Sequence, residues 1–212
     1  MSDSKTIAVF GATGQVGRHF IPLALEAGYR IRALVRTPEK FTQRDHEHVE
    51  TFQGSATEAG DVAKVVEGSQ LVVSLLGNPS KTVLIMERSN RNILDAAGKQ
   101  ATTPRCLFVS SIGLGGSSWL IGGMLRLFAG KASIDDYERA DALVRGQSDI
   151  PYALIRPYGL NDKPGTGTYK VIPRKTVHFA KPIPRANVAR FFFDCLEDTQ
   201  YDGPAAVHLT GA

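Results

Sequence analysis

Seven residues near the start of the chain, Gly11-Ala-Thr-Gly14-Gln-Val-Gly17, restrict its fold more than any other feature. They come directly after a short apolar run, Ile7–Phe10, and open an amphipathic stretch, Val16–Ala27. In that context each glycine has its own task. Gly11 lets the chain turn sharply off a strand, Gly14 lets backbone amides approach a pyrophosphate, and Gly17 lets a helix pack closely on the sheet. The helix N-terminus adds free amides and partial positive charge. Loops gather glycine for many reasons, so the triplet alone is weak. Strand, loop, helix and a second strand (Ile31–Val35) in that order point to a dinucleotide site.

The rest of the chain repeats the alternation. Strand-like runs at Val49–Phe52, Leu71–Leu75, Leu107–Ser110 and Tyr152–Ile155 are interleaved with helical stretches at Val62–Glu67, Thr82–Ala97 and Ala132–Arg145. The runs are continuously apolar, as buried parallel strands are. The expected fold is therefore α/β: a Rossmann-type, doubly wound parallel sheet with helices on both faces. Gly28, Gly68 and Gly98 stand where left-handed helix caps are expected. Beyond Arg156-Pro157 come a Pro/Gly-rich stretch, strands at Tyr169–Ile172 and Thr176–Phe179, a helix at Val188–Leu196 and a strand near Val207–Leu209. With 212 residues, 42% of them hydrophobic, and no repeat or linker, residues 1–212 read as one domain.

The end of the second strand discriminates between dinucleotides. An NAD site offers a carboxylate there to the ribose 2′-hydroxyl, whereas Leu34-Val-Arg36 offers a guanidinium that can fork onto a 2′-phosphate. Glu39 is set back beyond Pro38, and Lys40 either assists or stays solvated. The expected cofactor is NADP(H). Ligands of such sheets bind beyond the C-terminal strand ends, which adds Ser55 after strand three, Leu76 and Gly77 after strand four, and Ser110 and Ser111 after strand five. Ser55 is suited to hydrogen-bond adenine and Gly77 to admit the ribose closely, and either serves equally well as a plain turn residue.

Other classes find less support. A net charge of +4, spread along the chain, suits an anionic small ligand better than a duplex, and no basic stripe or aromatic platform for nucleic acid is present. Cys106 and Cys195 lie in apolar segments and read as buried reduced thiols. With no charged-then-apolar leader at the start, a cytoplasmic location is expected. The charge-free stretch Ser110–Leu125 falls short of the ~20 residues of a membrane helix. His46 and His48 have no third ligand at suitable spacing, so no metal is expected.

Ala8-Val-Phe-Gly-Ala-Thr-Gly-Gln-Val-Gly17, Leu34-Val-Arg36, Leu75-Leu-Gly77, Ser110-Ser111, Arg156-Pro157, Asp162-Lys-Pro-Gly-Thr-Gly-Thr-Tyr169 and Tyr201-Asp-Gly203 together resemble the atypical, NmrA-like short-chain dehydrogenase/reductases. Among these the chain is most similar to the biliverdin-IXβ reductase/flavin reductase family. The resemblance implies one Rossmann domain and hydride transfer from NADPH to a flavin or linear tetrapyrrole. By position it implies pyrophosphate binding by Gly11, Thr13, Gly14, Gln15, Val16 and Gly17, 2′-phosphate binding by Arg36, and Ser111 beside the nicotinamide; it also implies a monomer. Two departures stand out: Ser55 occupies a position that is commonly acidic, and Ile112–Trp119 is unlike the flavin-reductase pattern.

The residue four places after Tyr137 narrows the chemistry further. Carbonyl-reducing relatives place a lysine four residues after a catalytic tyrosine to lower the phenol pKa, whereas here Asp141 stands there and would raise it. Tyr137 is thus expected to be a packing or surface residue. A flavin, bilin or quinone needs mainly to be held against the nicotinamide. Ser111 is assigned that positioning role, the alternative being a hydroxyl that caps strand five or the next helix. Residues 113–130 are expected to cover the nicotinamide, with Trp119 and Tyr158 touching the acceptor and Tyr169 and Lys170 nearby. The apolar Trp119–Phe128 segment serves equally as core or as a weak dimer contact. A non-catalytic NADP(H) sensor or assembly factor is the competing function.

Overall fold

The computed structural model describes residues 4–111, 114, 130–174, 176 and 180–212. The strand-like runs become β1 (Thr6–Phe10), β2 (Arg30–Val35), β3 (Val49–Gln53), β4 (Leu71–Ser74), β5 (Arg105–Val109), β6 (Tyr152–Pro157), β7 (Lys170–Ile172) and β8 (Val207–Thr210). They form one sheet in the order β3-β2-β1-β4-β5-β6-β8-β7, in which every pairing is parallel except the antiparallel edge pair β7–β8. The helices are α1 (Gly17–Glu26), α2 (Ala59–Val66), α3 (Met86–Gly98), α4 (Lys131–Arg145) and α5 (Arg185–Asp194). Among the described residues none is long and apolar enough to cross a membrane.

Both faces of the sheet are covered, which explains the absence of a period of two in the central strands. Ile7, Val9, Leu107 and Ile155 pack with Phe20 and Ile21 of α1 and Phe191 and Phe192 of α5. Their neighbours Ala8, Phe10, Phe108 and Leu154 pack on the opposite face with Val62 of α2, Ile93 of α3 and Val144 of α4. Each such large apolar side chain contributes about 1.5–3 kcal/mol on burial. Cys106 and Cys195 are buried free thiols in these two layers.

Several expected boundaries move. Gly28 and Gly68 adopt φ of +84° and +72°, as left-handed caps require. Gly98 does not: it is the last residue of α3, and the turn continues with helical geometry through Lys99. Helix α3 starts at Met86 rather than Thr82, because its first amides are capped from a distance. The Asp136 carboxylate on α4 accepts N–H bonds from Met86 (2.9 Å) and Glu87 (3.2 Å), and Asn78 Oδ1 accepts the Ile85 N–H at 2.8 Å. A single 3-10 turn, Pro38–Lys40, lies between β2 and β3. Thr176 is in a turn closed by its N–H on the Pro173 carbonyl at 2.9 Å, not in a strand, and residues 177–179 lie outside the described set.

Candidate cofactor and acceptor site

The glycine loop is built by steric necessity. Gly11 has φ of +88°, and a Cβ there would stand 2.8 Å from the Leu75 carbonyl oxygen at the end of β4. A Cβ on Gly17 would stand 2.6 Å from the Ala12 carbonyl oxygen and closer still to that of Gly11. Both obstacles are backbone, so neither yields. Gly14 donates its N–H to Gly11 O at 2.9 Å, closing the turn that leads into α1. The loop is thereby pressed against the mouth of the sheet, and α1 begins directly behind it, its first amides Arg18 and His19 bonded back to the Gly14 and Val16 carbonyls of the loop.

That mouth is a groove between β1 and β4, where the strand order reverses and open α/β sheets hold their ligands. It has two connected chambers that share Gly14, Leu75, Leu76, Gly77 and Pro79. The first, of about 340 Å³, is lined by Gly11, Thr13, Leu34, Arg36, Ser55 and Thr57, with Val83, Ile85 and Ser89 opposite. The second, of about 730 Å³, is lined by Gln15, Val16, Ser110, Ser111, Tyr137, Tyr158, Leu160 and Arg185. The expected cofactor residues are therefore brought together, with Gly17 packed behind the loop. Trp119 lies outside the described residues.

Individual side chains differ in what they have left to offer. Arg36 is exposed on the first chamber and forms no ion pair among the described residues. Arg32, four residues earlier, is committed to the Lys64 and Val65 carbonyls and to Glu50. Ser55 sits in a turn, its N–H donated to Asp61 Oδ2 at 3.0 Å and its Oγ 2.8 Å from Thr57 Oγ1. Ser110 donates its hydroxyl to Asp141 Oδ1 at 2.9 Å, so its role at the groove edge is anchored from below.

Tyr137 departs from expectation. It is neither a surface residue nor simple packing: it forms a wall of the second chamber, and its hydroxyl oxygen accepts the Asn78 N–H at 3.3 Å. Asp141, one turn along α4, does not act on it. That carboxylate faces the sheet and accepts both Nε (3.0 Å) and Nη2 (2.7 Å) of Arg156, together with Nε of Arg145 at 2.8 Å. Burial, followed by the charge of Asp136, raises the phenol above its ordinary value of 10.0 despite the Asn78 bond, which lowers it. Tyr137 thus stays a neutral phenol. Tyr169 is also turned away: it donates to Asp194 Oδ2 at 2.7 Å and packs edge-on against Phe191. Lys170 belongs to the edge strand β7 and lines neither chamber. Arg185, which the sequence did not single out, lines the second chamber and pairs with Asp162 at 3.1 Å.

A glycine-floored groove at the switch point of a parallel sheet defines a dinucleotide-binding Rossmann domain. Residues 11–199 match the family described as NAD(P)H-binding, and the chain belongs to that family. Its fold, a single Rossmann-type α/β domain, is shared with NAD(P)-binding oxidoreductases among the solved structures. It is similar to ChuY, an anaerobilin reductase from Escherichia coli O157:H7, with a TM-score of 0.84, 25% identity and 97% of each chain covered. A short-chain dehydrogenase/reductase from Veillonella parvula, solved in complex with NADP, superposes with a TM-score of 0.81 at 20% identity, covering 98% of this chain and 94% of its own. A chloroplastic protein of Arabidopsis thaliana is 28% identical over 189 residues, 82% of this chain; the match spans 66% of that relative's length.

Proposed function

We propose that the protein is an NADPH-dependent reductase that passes hydride to a flat, conjugated acceptor of the flavin, bilin or quinone type. The observation that carries this is Arg36, a guanidinium without an ion pair among the described residues, on the first chamber at the strand end where an NAD site presents a carboxylate. The groove fits the cofactor: with no room for a Cβ at Gly11 or Gly17 against the backbone behind them, the loop lies tight on the sheet and leaves Gly14 on the groove, where backbone amides can meet a pyrophosphate. Bound NADPH would supply the hydride. Thr13, Gly14, Gln15 and Val16 hold the pyrophosphate, Arg36 the 2′-phosphate, and Ser55 and Leu76 flank the adenosine. Gly77 keeps the wall low enough for a ribose, since a Cβ there would come within 3.1 Å of the Tyr137 hydroxyl.

The second chamber receives the acceptor. Ser110, fixed by Asp141, sets the strand end from which Ser111 reaches the nicotinamide and the polar edge of the acceptor; this is the positioning role we assign to Ser111. Tyr158 and Leu160 supply flat and apolar wall. Tyr137, its oxygen already accepting one N–H, keeps its proton for donation and orients an acceptor carbonyl or ring nitrogen. Similarity to an anaerobilin reductase over almost the whole chain supports an acceptor of the open-chain tetrapyrrole class.

The test is loss of NADPH absorbance with FMN, riboflavin, biliverdin and a quinone. Steady turnover of at least one of these is the expected result. Tight NADPH binding with no acceptor reduced above background would overturn the reductase and leave an NADP(H) sensor that acts on a protein partner.

A further inference from the structure

Arg156 on β6 and His208 on β8 are register partners and so lie side by side on the sheet face that carries α4. Beyond α4 this face opens into a third cavity, of about 450 Å³, separate from the groove. Arg145 at the end of α4, Arg156, Arg174 after β7, and His208 all line it. The two carboxylates nearby are already engaged. Asp141 is shared by Arg156 and Arg145, and Asp202 takes three hydrogen bonds of 2.6–2.9 Å from Arg105. Arg145 uses only its Nε among the described residues, which leaves its terminal nitrogens for another acceptor.

His208 supplies an independent sign of a ligand. It is 3% exposed, and its Nδ1 is buried without a hydrogen-bond partner among the described residues. Such an orphan is costly, and buried polar groups in native proteins nearly always find a partner. A neutral imidazole protonated on Nδ1 is a donor, and a donor ringed by guanidiniums selects an anion.

We propose that this cavity is a second binding site, which takes a small oxyanion ligand bearing phosphate or carboxylate groups. Arg145 and Arg174 grip the oxygens from the rim, and His208 donates from the floor. The charges around the ring are Arg156 from β6, Arg174 beyond β7, Asp141 and Arg145 from α4, and Asp202 from the loop before β8. Burial, then Arg156 and Arg174, lower the His208 imidazole from 6.5 to about 4, against the opposing pull of Asp141. The ring is therefore uncharged near neutrality. An anion between it and the arginines offsets their repulsion and raises its pKa.

The test uses inorganic phosphate and citrate as probes, on protein saturated with NADP⁺ so that the groove is filled. His208 is followed by ring NMR across pH, and affinity by calorimetry. The expected result is an upward shift of the His208 titration by about one unit or more. Affinity should fall roughly tenfold in Arg174→Ala, an exposed position, and in His208→Gln, as for loss of one charge-assisted or buried hydrogen bond. It should not change in Arg36→Ala. The tighter of the two probes separates phosphate from polycarboxylate ligands. An unmoved His208 at ~50 mM of either probe overturns the proposal, as does binding that is lost in Arg36→Ala but kept in Arg174→Ala.

Discussion

Replacing Asp141 by alanine should be among the most damaging single changes in the fold. Its carboxylate side chain is 1% exposed and neutralises Arg156, itself 4% exposed, through two hydrogen bonds of 3.0 and 2.7 Å. Removing one member of a buried pair leaves the other charge unpaired, a loss of about 3–5 kcal/mol. Arg145 adds little, because its side chain is 40% exposed and regains water. For a domain of this size the melting temperature should fall by roughly 6–20 °C. Urea unfolding at constant m is the assay. The double variant Asp141→Leu/Arg156→Met should lose less than Asp141→Ala alone, because no charge is stranded. The pair would not act as described if Asp141→Ala cost under about 1 kcal/mol, or if the two single losses simply added in the double variant. Because Ser110 loses its acceptor as well, any folded Asp141→Ala protein should show a raised acceptor KM before it shows weaker NADPH binding.

Three further outcomes are expected from the same geometry. Gly17→Ala should abolish cofactor binding and cost about 1–3 kcal/mol, since the new methyl meets two backbone carbonyls; fluorescence titration with NADPH and thermal unfolding measure both. Burial pushes the Cys106 and Cys195 thiols up to about 12, so neither should be alkylated by iodoacetamide at pH 8 in the folded protein, as read by intact mass, while both react in urea. The Tyr137 phenol is raised above 10.0, so it stays protonated throughout the neutral range. Turnover should show no basic limb from it below about pH 10, and Tyr137→Phe should lower kcat about tenfold or less without reshaping the pH profile.

The features legible in the sequence are the local ones. Gly14 and Gly17 are legible because their backbone clearance depends on Gly11 and Ala12 a few residues away, and the β-branched runs announce buried parallel strands because both faces are covered; the clearance that Gly11 needs is set by Leu75 across the sheet. Arg36 is legible for the same reason, standing at a fixed offset from its strand. The hidden features depend on contacts between distant segments. The start of α3 is set by Asp136, fifty residues away, so no local cap marks it. Gly98 looks like a cap until Lys99 prolongs the helix. Asp141 sits four residues after Tyr137, which suggests a pair, but Arg156 draws its carboxylate to the sheet. Arg185 and Tyr137 reach the groove only because α5 and α4 pass its rim. Orphaned His208 has no signature in a strand that otherwise reads as plain core.

The central claim is that Arg36 makes the groove a site for the 2′-phosphorylated cofactor. The measurement that bears on it most directly is the dissociation constant of NADPH and of NADH for the protein and for Arg36→Ala. A charge-assisted fork onto the phosphate contributes about 1.5–3 kcal/mol. NADPH should therefore weaken by roughly tenfold to a hundredfold in the variant, while NADH changes by less than about twofold. Equal weakening of both dinucleotides, or an unaltered preference for NADPH, would contradict the claim and move the 2′-phosphate contact elsewhere.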